Sequence, residues 1–217
     1  MAWTYFVVGS GSAGRRHSAN LQNLGKTVEH LAWRGFDAET FSSSLARCGG
    51  QAAVVIATAT DVRSELVDIC AVHNAPMYIE KPLAFTQKDV AEIYGIEIGL
   101  QQRSMVGFML RYHPLTMFLS RFDSGEFFRL QFEIGHDVRL WRENWSFSES
   151  YAARAEGGGV LLDLCHEIDL ACMICPSLAL DGVKSIGHES FFGVDFASML
   201  SLVSPNGATG TVSMDYL

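Results

Sequence analysis

Tyr5-Phe6-Val7-Val8-Gly9-Ser10-Gly11-Ser12-Ala13-Gly14 is the stretch that decides the fold. A short aromatic and β-branched run breaks into glycines spaced G-x-G-x-x-G, and apolar residues at helical spacing then continue through Leu21 and Leu24. Gly25 closes that helix in the way a C′ glycine does. The three glycines serve a tight turn, a close approach of backbone to pyrophosphate, and tight packing of helix on strand. The bare pattern occurs by chance. Here it follows a strand and opens a helix, whose N-terminal amides and dipole favour phosphate. Gly9, Ser10, Gly11, Ser12, Ala13 and Gly14 are therefore candidate contacts to the pyrophosphate of NAD or NADP.

Outward from this loop the pattern repeats. Thr27–Trp33 reads as a second strand, and Ala52–Ile56 as a third with the unbroken apolar run of a strand buried on both faces. Asp61–Val72 carries helical spacing, Pro76–Ile79 is a fourth strand, Gln87–Tyr94 a helix and Met105–Met109 a fifth strand. Alternating strands and helices predict βαβ units and a doubly wound parallel Rossmann sheet. The dinucleotide fingerprint expects an acidic residue roughly 20 positions on, for the ribose 2′-hydroxyl. Counting from Gly14 lands on Arg34, whose guanidinium suits a 2′-phosphate and favours NADP, while nearby Asp37 keeps NAD open.

The rhythm changes after His113. A helix over Leu115–Phe122 leads to a strand over Phe127–Ile134 and a long loop with Trp141, Trp145 and Tyr151. Gly157-Gly158-Gly159 then opens one apolar helix to about Ile174. Val183–His188, Asp195–Val203 and Thr209–Leu217 read as strands, the last two joined by Ser204-Pro205-Asn206-Gly207, a hairpin signal. This predicts a Rossmann domain over 1–115 and an α+β domain with a mainly antiparallel sheet over 116–217. A sheet ending at Leu217 would present an open edge. Further strands or a second subunit are expected to cover it, giving a homo-oligomer built through this C-terminal sheet.

The formal net charge of −8 argues against a nucleic-acid partner, which needs clustered Lys and Arg. No apolar run approaches the roughly 18 residues of a bilayer span, and the N-terminus lacks a signal peptide's basic start and cleavage site. Five cysteines, odd in number and set in apolar segments, point to reduced thiols and a cytoplasmic protein. Cys172-x-x-Cys175, with Cys165 and His166 nearby, has no second paired motif, so buried thiols are expected and no metal.

Glu80-Lys81-Pro82 follows the fourth strand, at the carboxyl edge where open α/β sheets bind ligands. Alone it reads as a surface charge pair. In order along the chain, however, stand the glycine loop with Arg15-Arg16-His17, Ala57-Thr58-Ala59-Thr60, Glu80-Lys81-Pro82, Gly107-Phe108-Met109-Leu110-Arg111-Tyr112-His113-Pro114, and Gly157 to Asp169. That series resembles the Gfo/Idh/MocA family of NAD(P)-dependent sugar and cyclitol dehydrogenases, over essentially the whole chain. The Trp141-Arg142…Tyr151 loop, followed by Leu162-Asp163-Leu164-Cys165-His166-Glu167, is most similar to the branch acting on nucleotide-linked or nonulosonate-type sugars.

The resemblance implies hydride transfer between NAD(P) and a secondary hydroxyl or keto group of a sugar, cyclitol or nucleotide sugar. Lys81 would contact the reacting hydroxyl, His166 would act as general acid/base, and Asp163 would assist it. Thr58 and Glu80 would join the cofactor site. A histidine base suits alcohol oxidation near neutral pH, and Asp163 and His166 at i, i+3 are expected to share one helical face. Arg111 suits a substrate phosphate or carboxylate. His113, Trp141, Asn144 and Tyr151 complete the candidate substrate contacts, although a tryptophan there serves equally to pack the loop.

The sequence departs from the family pattern in three ways. The Asp–His spacing is three rather than four. Arg63 occupies a position that is usually polar or histidine, an altered contact at the cofactor's edge. The chain also lacks roughly the last third of the family's usual length. Two other readings stay open on the same residues: a glycosidase using NAD transiently, and a non-catalytic NAD(P)-binding sensor.

Overall fold

Strand β1, Thr4–Val8, carries Phe6, Val7 and Val8, all with 0% exposure, and such a strand needs a partner on each side and cover on each face. It has them: β2 (Thr27–Leu31) and β3 (Ala52–Ile56) flank it in parallel. A computed structural model describes residues 2–140 and 146–216 and divides the chain into two compact units, 1–107 and 108–217.

In the first unit a five-stranded, wholly parallel sheet has the order β2-β1-β3-β4-β5, with β4 at Met77–Ile79 and β5 at Met105–Val106. Helices α1 (Ser12–Asn23), α2 (Ala38–Arg47), α3 (Arg63–Val72), α4 (Gln87–Tyr94) and α5 (Ile98–Gln101) connect the strands. Phe6, Val8, Val54, Ile56, Met77 and Ile79 point to one face and pack on Phe41, Leu45, Leu66, Val67, Cys70, Ile93 and Leu100. The order of strands reverses between β1 and β3, which makes the carboxyl ends of those two strands the topological switch point.

Local chemistry sets the helix ends. Gly25 adopts φ +70°, and Lys26 N–H donates to Leu21 O while Gly25 N–H donates to Gln22 O, a Schellman closure of α1. The fifth strand is shorter than its pattern predicts. Val106 ends it, because Gly107 lies against the Tyr78 phenol and the chain from Met109 turns into a 3₁₀ helix.

The second unit holds a four-stranded sheet, order β6-β9-β8-β7, with β6 Arg129–Gly135, β7 Ala179–His188, β8 Phe191–Val203 and β9 Thr209–Asp215. Only the β6–β9 pair is parallel. The β8–β9 hairpin closes through Ser204 N–H to Ala208 O, with Gly207 at φ +86° taking the left-handed position. One sheet face supplies Phe132, Leu200, Val212 and Met214 to a core shared with Val160 and Ala171.

The single helix expected from Gly159 to Ile174 is two. Helix α6 (Pro114–Leu119) precedes them, α7 covers Val160–Asp163 and α8 covers His166–Ile174, with Leu164 and Cys165 outside both. Asp163 and His166 therefore sit on separate helices rather than one face.

Candidate active site

In the first unit the switch point gathers three strand ends. Gly9 N–H donates to Leu31 O, Ala57 N–H to Val8 O and Glu80 N–H to Ile56 O, so the glycine turn, Ala57–Thr58 and Glu80–Lys81 lie side by side at one carboxyl edge. Gly9 takes φ +120°, and a Cβ there would meet Ala57 O at 2.4 Å. A Cβ on Gly14 would lie 1.8 Å from Gly9 O, so α1 seats on the turn only because residue 14 has no side chain. His30 Nε2–H donates to Gly9 O at 3.0 Å and ties the turn to β2.

Gly11, the N-cap of α1, differs. A Cβ added there meets nothing within 4 Å, and the residue has no side chain with which to cap the first-turn amides. An open cradle over uncapped amides at a helix N-terminus fits a pyrophosphate. Arg34 is exposed in the turn after β2. Asp37 is committed elsewhere: its Oδ1 accepts Thr40 N–H at 2.7 Å as the N-cap of α2. Hydrogen bonding from the Thr40 side chain, and then from its backbone, holds the carboxyl below the usual range.

Lys81 is half-buried on the turn after β4, beside Glu80. Glu80 Oε1 lies 2.6 Å from Nε2 of His17, on the second turn of α1, and the imidazole leans on the Tyr78 ring at 4.9 Å. Burial alone pushes the Glu80 carboxyl up, but the His17 hydrogen bond and the charges of His17, Arg16 and Lys81 outweigh it and leave it lowered. Arg63, expected at the cofactor's edge, is instead buried at 3% exposure. Its guanidinium donates to the carbonyls of Thr58, Glu80 and Pro82.

In the second unit the glycine run is equally constrained. A Cβ on Gly158 would lie 2.4 to 2.7 Å from the carbonyls of Arg154, Ala152 and Tyr151, and one on Gly159 (φ +86°) would lie 1.8 Å from Asp195 Oδ1. Asp195 accepts Leu161 N–H and Ser198 Oγ–H, each at 2.9 Å, and anchors the start of α7 to β8. Asp163, buried, accepts hydrogen bonds from the Tyr151 hydroxyl and, at 3.4 Å, from that of Tyr216. Burial raises the Tyr216 phenol, and the Asp163 charge raises it further.

His166 opens α8, with the Phe108 ring edge-on at 5.9 Å. Arg111 stands over the same ring at 5.7 Å and donates Nε–H to Asp169 at 2.8 and 3.0 Å, with a further bond from Nη2. The hydrogen bond to Asp169 raises the guanidinium's pKa above its ordinary value. His113 Nδ1 accepts Leu115 N–H and caps α6. Tyr151 is exposed apart from its bond to Asp163. Trp141, Asn144 and Trp145 lie outside the described residues. Among the described residues no group of three or more His, Cys, Asp or Glu is placed to hold a metal ion, and Cys172 of the C-x-x-C pair is exposed.

Three of these partners carry no site role in the sequence reading: His17, Asp169 and Tyr216. His17 had a visible signal, a polar residue on the inner face of the nucleotide helix. The others pair across distances that no local pattern encodes.

A five-stranded parallel sheet with a glycine turn at its switch point, followed by an α+β unit with a mixed sheet, is a fold this chain shares with solved oxidoreductases and dehydrogenases. Among solved structures, aldose-aldose oxidoreductase from Caulobacter crescentus, complexed with glycerol, is similar with a TM-score of 0.78 at 14% identity, covering 100% of this chain and 71% of that one. An oxidoreductase from Agrobacterium radiobacter in complex with NAD+, L-tartaric acid and magnesium gives 0.77 at 20%, covering 100% and 67%. The WlbA dehydrogenase from Bordetella pertussis, with NADH and UDP-GlcNAcA, gives 0.74 at 15%, covering 100% and 73%. No family model matches the sequence. No curated protein matches it either.

Proposed function

We propose that the chain is an oxidoreductase that moves a hydride between NAD(P) and a secondary hydroxyl or keto carbon of a sugar, cyclitol or nucleotide sugar. The observation that carries this reading is the shared carboxyl edge: the Gly9–Gly14 turn, Thr58 and the Glu80–Lys81 turn stand on adjacent parallel strands. The amides of the glycine turn and the first turn of α1 would hold the pyrophosphate. When bound, the nicotinamide supplies a hydride donor or acceptor at C4 of its ring. Lys81 Nζ would orient the reacting oxygen, and the His166 imidazole would take the hydroxyl proton on oxidation and return it on reduction. Asp163 would assist His166, and Arg111, His113, Trp141, Asn144 and Tyr151 would contact the substrate. Arg111, already paired with Asp169, offers a substrate anion only its remaining edge.

Following NADH and NADPH absorbance against a panel of keto sugars, cyclitols and nucleotide sugars tests this. Dinucleotide-dependent turnover of at least one member is expected, and none across the panel defeats the reading. Because Asp37 is occupied as a helix cap and Arg34 is exposed, NADP is the favoured cofactor. Arg34→Asp should then reverse the preference. An unchanged preference for NADPH in that variant removes Arg34 from the cofactor site.

The same reading assigns the open face of the second sheet to a homo-oligomer. Glu133, Ser213, Met199 and Lys184 lie in register across its four strands, on the side away from Phe132, Val212 and Leu200, with Ile186 and Met199 69% and 40% exposed. Light scattering should return at least twice the 23.9 kDa of the chain, and a mass equal to it would refute the assignment. The five cysteines are free, as suits a reducing compartment such as the cytoplasm. Among the described residues no helix is long and apolar enough to cross a membrane.

A further inference from the structure

We propose that Arg63 is the positioning residue of this site: its guanidinium fixes, through three backbone carbonyls, the turn that presents Lys81 and the loop that presents Thr58. The proposal rests on the reading of Lys81 as the group that meets the reacting oxygen.

Arg63 is the first residue of α3, and at 3% exposure its charge lies inside the first unit rather than in solvent. A long cationic side chain is rarely buried without a specific use for its donors. Here the donors converge. One terminal nitrogen serves both Glu80 O and Pro82 O, the carbonyls on either side of Lys81, and the other serves Thr58 O at 2.8 Å. The two loops leave different strands, β3 and β4, and the one guanidinium reaches both. One rigid group therefore sets where both loops lie.

The chemistry of the side chain matters. A guanidinium is planar, permanently charged and carries five donors in a fixed fork, so three acceptors held by it are held at fixed mutual angles. A lysine at the same place brings a single ammonium on a flexible stem. It can contact one or two of the carbonyls but cannot fix the angle between the loops. A carbonyl left buried without a donor is unfavourable, so a turn released from Arg63 would shift towards water rather than stay in place. Lys81 would move with it.

The test uses Arg63→Lys and Arg63→Met in the full chain, with three readouts: amide exchange by mass spectrometry, kcat, and the dinucleotide dissociation constant. In Arg63→Lys, exchange over 57–61 and 79–84 should rise at least about tenfold, with β1 and β2 unchanged. kcat should fall by about tenfold or more, and by a larger factor than the dinucleotide constant rises. Unchanged exchange in both segments overturns the proposal. So does a uniform rise over the whole first unit, which would mark a merely structural residue. If Arg63→Met does not fold, the lysine variant decides alone. Exchange needs no turnover, so a failure of the Lys81 reading, seen as retained turnover in Lys81→Ala, leaves the exchange result standing and is told apart from a failure of this one.

Discussion

Replacing Lys81 by alanine is expected to lower kcat by about 100-fold or more while leaving the dinucleotide dissociation constant within about threefold of wild type. The asymmetry follows from where the parts stand. The groups proposed to hold the pyrophosphate are backbone amides of the Gly9–Gly14 turn and α1, which a change at Lys81 does not touch. Lys81 itself lies on the turn after β4, between two carbonyls fixed by Arg63 and next to a glutamate tied to His17. Its backbone is therefore set by neighbours that survive the substitution, and the loss is confined to the ammonium group. Orientation and proton handling by one side chain are worth about two to four powers of ten. Single-turnover absorbance with a substrate from the panel measures the first number and cofactor fluorescence the second. Retained turnover would remove Lys81 from the reaction, whereas loss of turnover together with loss of binding would place it in the cofactor site instead.

Gly14→Ala is expected to do more damage than any other single methyl group added to the first unit. The new carbon would lie 1.8 Å from Gly9 O and 2.9 Å from Gly9 C, both backbone atoms, so no side chain can rotate aside to make room. The turn or α1 must move, and Gly9 cannot follow cheaply, since it holds φ +120° against Ala57 O. A displaced helix disorders the amide cradle. Dinucleotide affinity should fall at least tenfold, roughly 1.4 kcal/mol, and the melting temperature should drop by several degrees. Gly11→Ala is the matching control. Its added carbon meets nothing within 4 Å and its φ of −67° suits any residue, so stability should hold while the methyl intrudes on the cradle and weakens binding. Thermal unfolding with and without NADP compares the two. A Gly14→Ala protein that melts and binds like wild type would show that the turn is not what positions the cofactor.

How much of this was legible beforehand depends on the range of the interaction. The alternation of strands and helices, the glycine turn, the closing Gly25 and the 204–208 hairpin all rest on neighbours a few residues apart, and each appears in the structure. Gln87–Tyr94 forms a helix with the bounds its pattern predicts, and Thr86 caps it from one residue away. Local pattern gives way where it meets a distant demand. The apolar run from Val160 to Ile174 has helical spacing throughout, yet the helix breaks at Leu164 and Cys165. The first segment is anchored to Asp195 on β8, and Asp163 is drawn to Tyr151 and Tyr216.

The sequence by itself thus determined the kind of sheet, the place of the glycine turn and the strand end that bears Lys81. Periodicity and turn chemistry act within a few residues, and a chain displays them before it folds. Only the tertiary structure decided the partners. His17 meets Glu80, Arg111 meets Asp169, Arg63 gathers Thr58, Glu80 and Pro82, and Asp37 turns out to be a cap. The first two pairs are 63 and 58 residues apart in the chain, and their distances are set by how helices pack, which side-chain types alone do not encode.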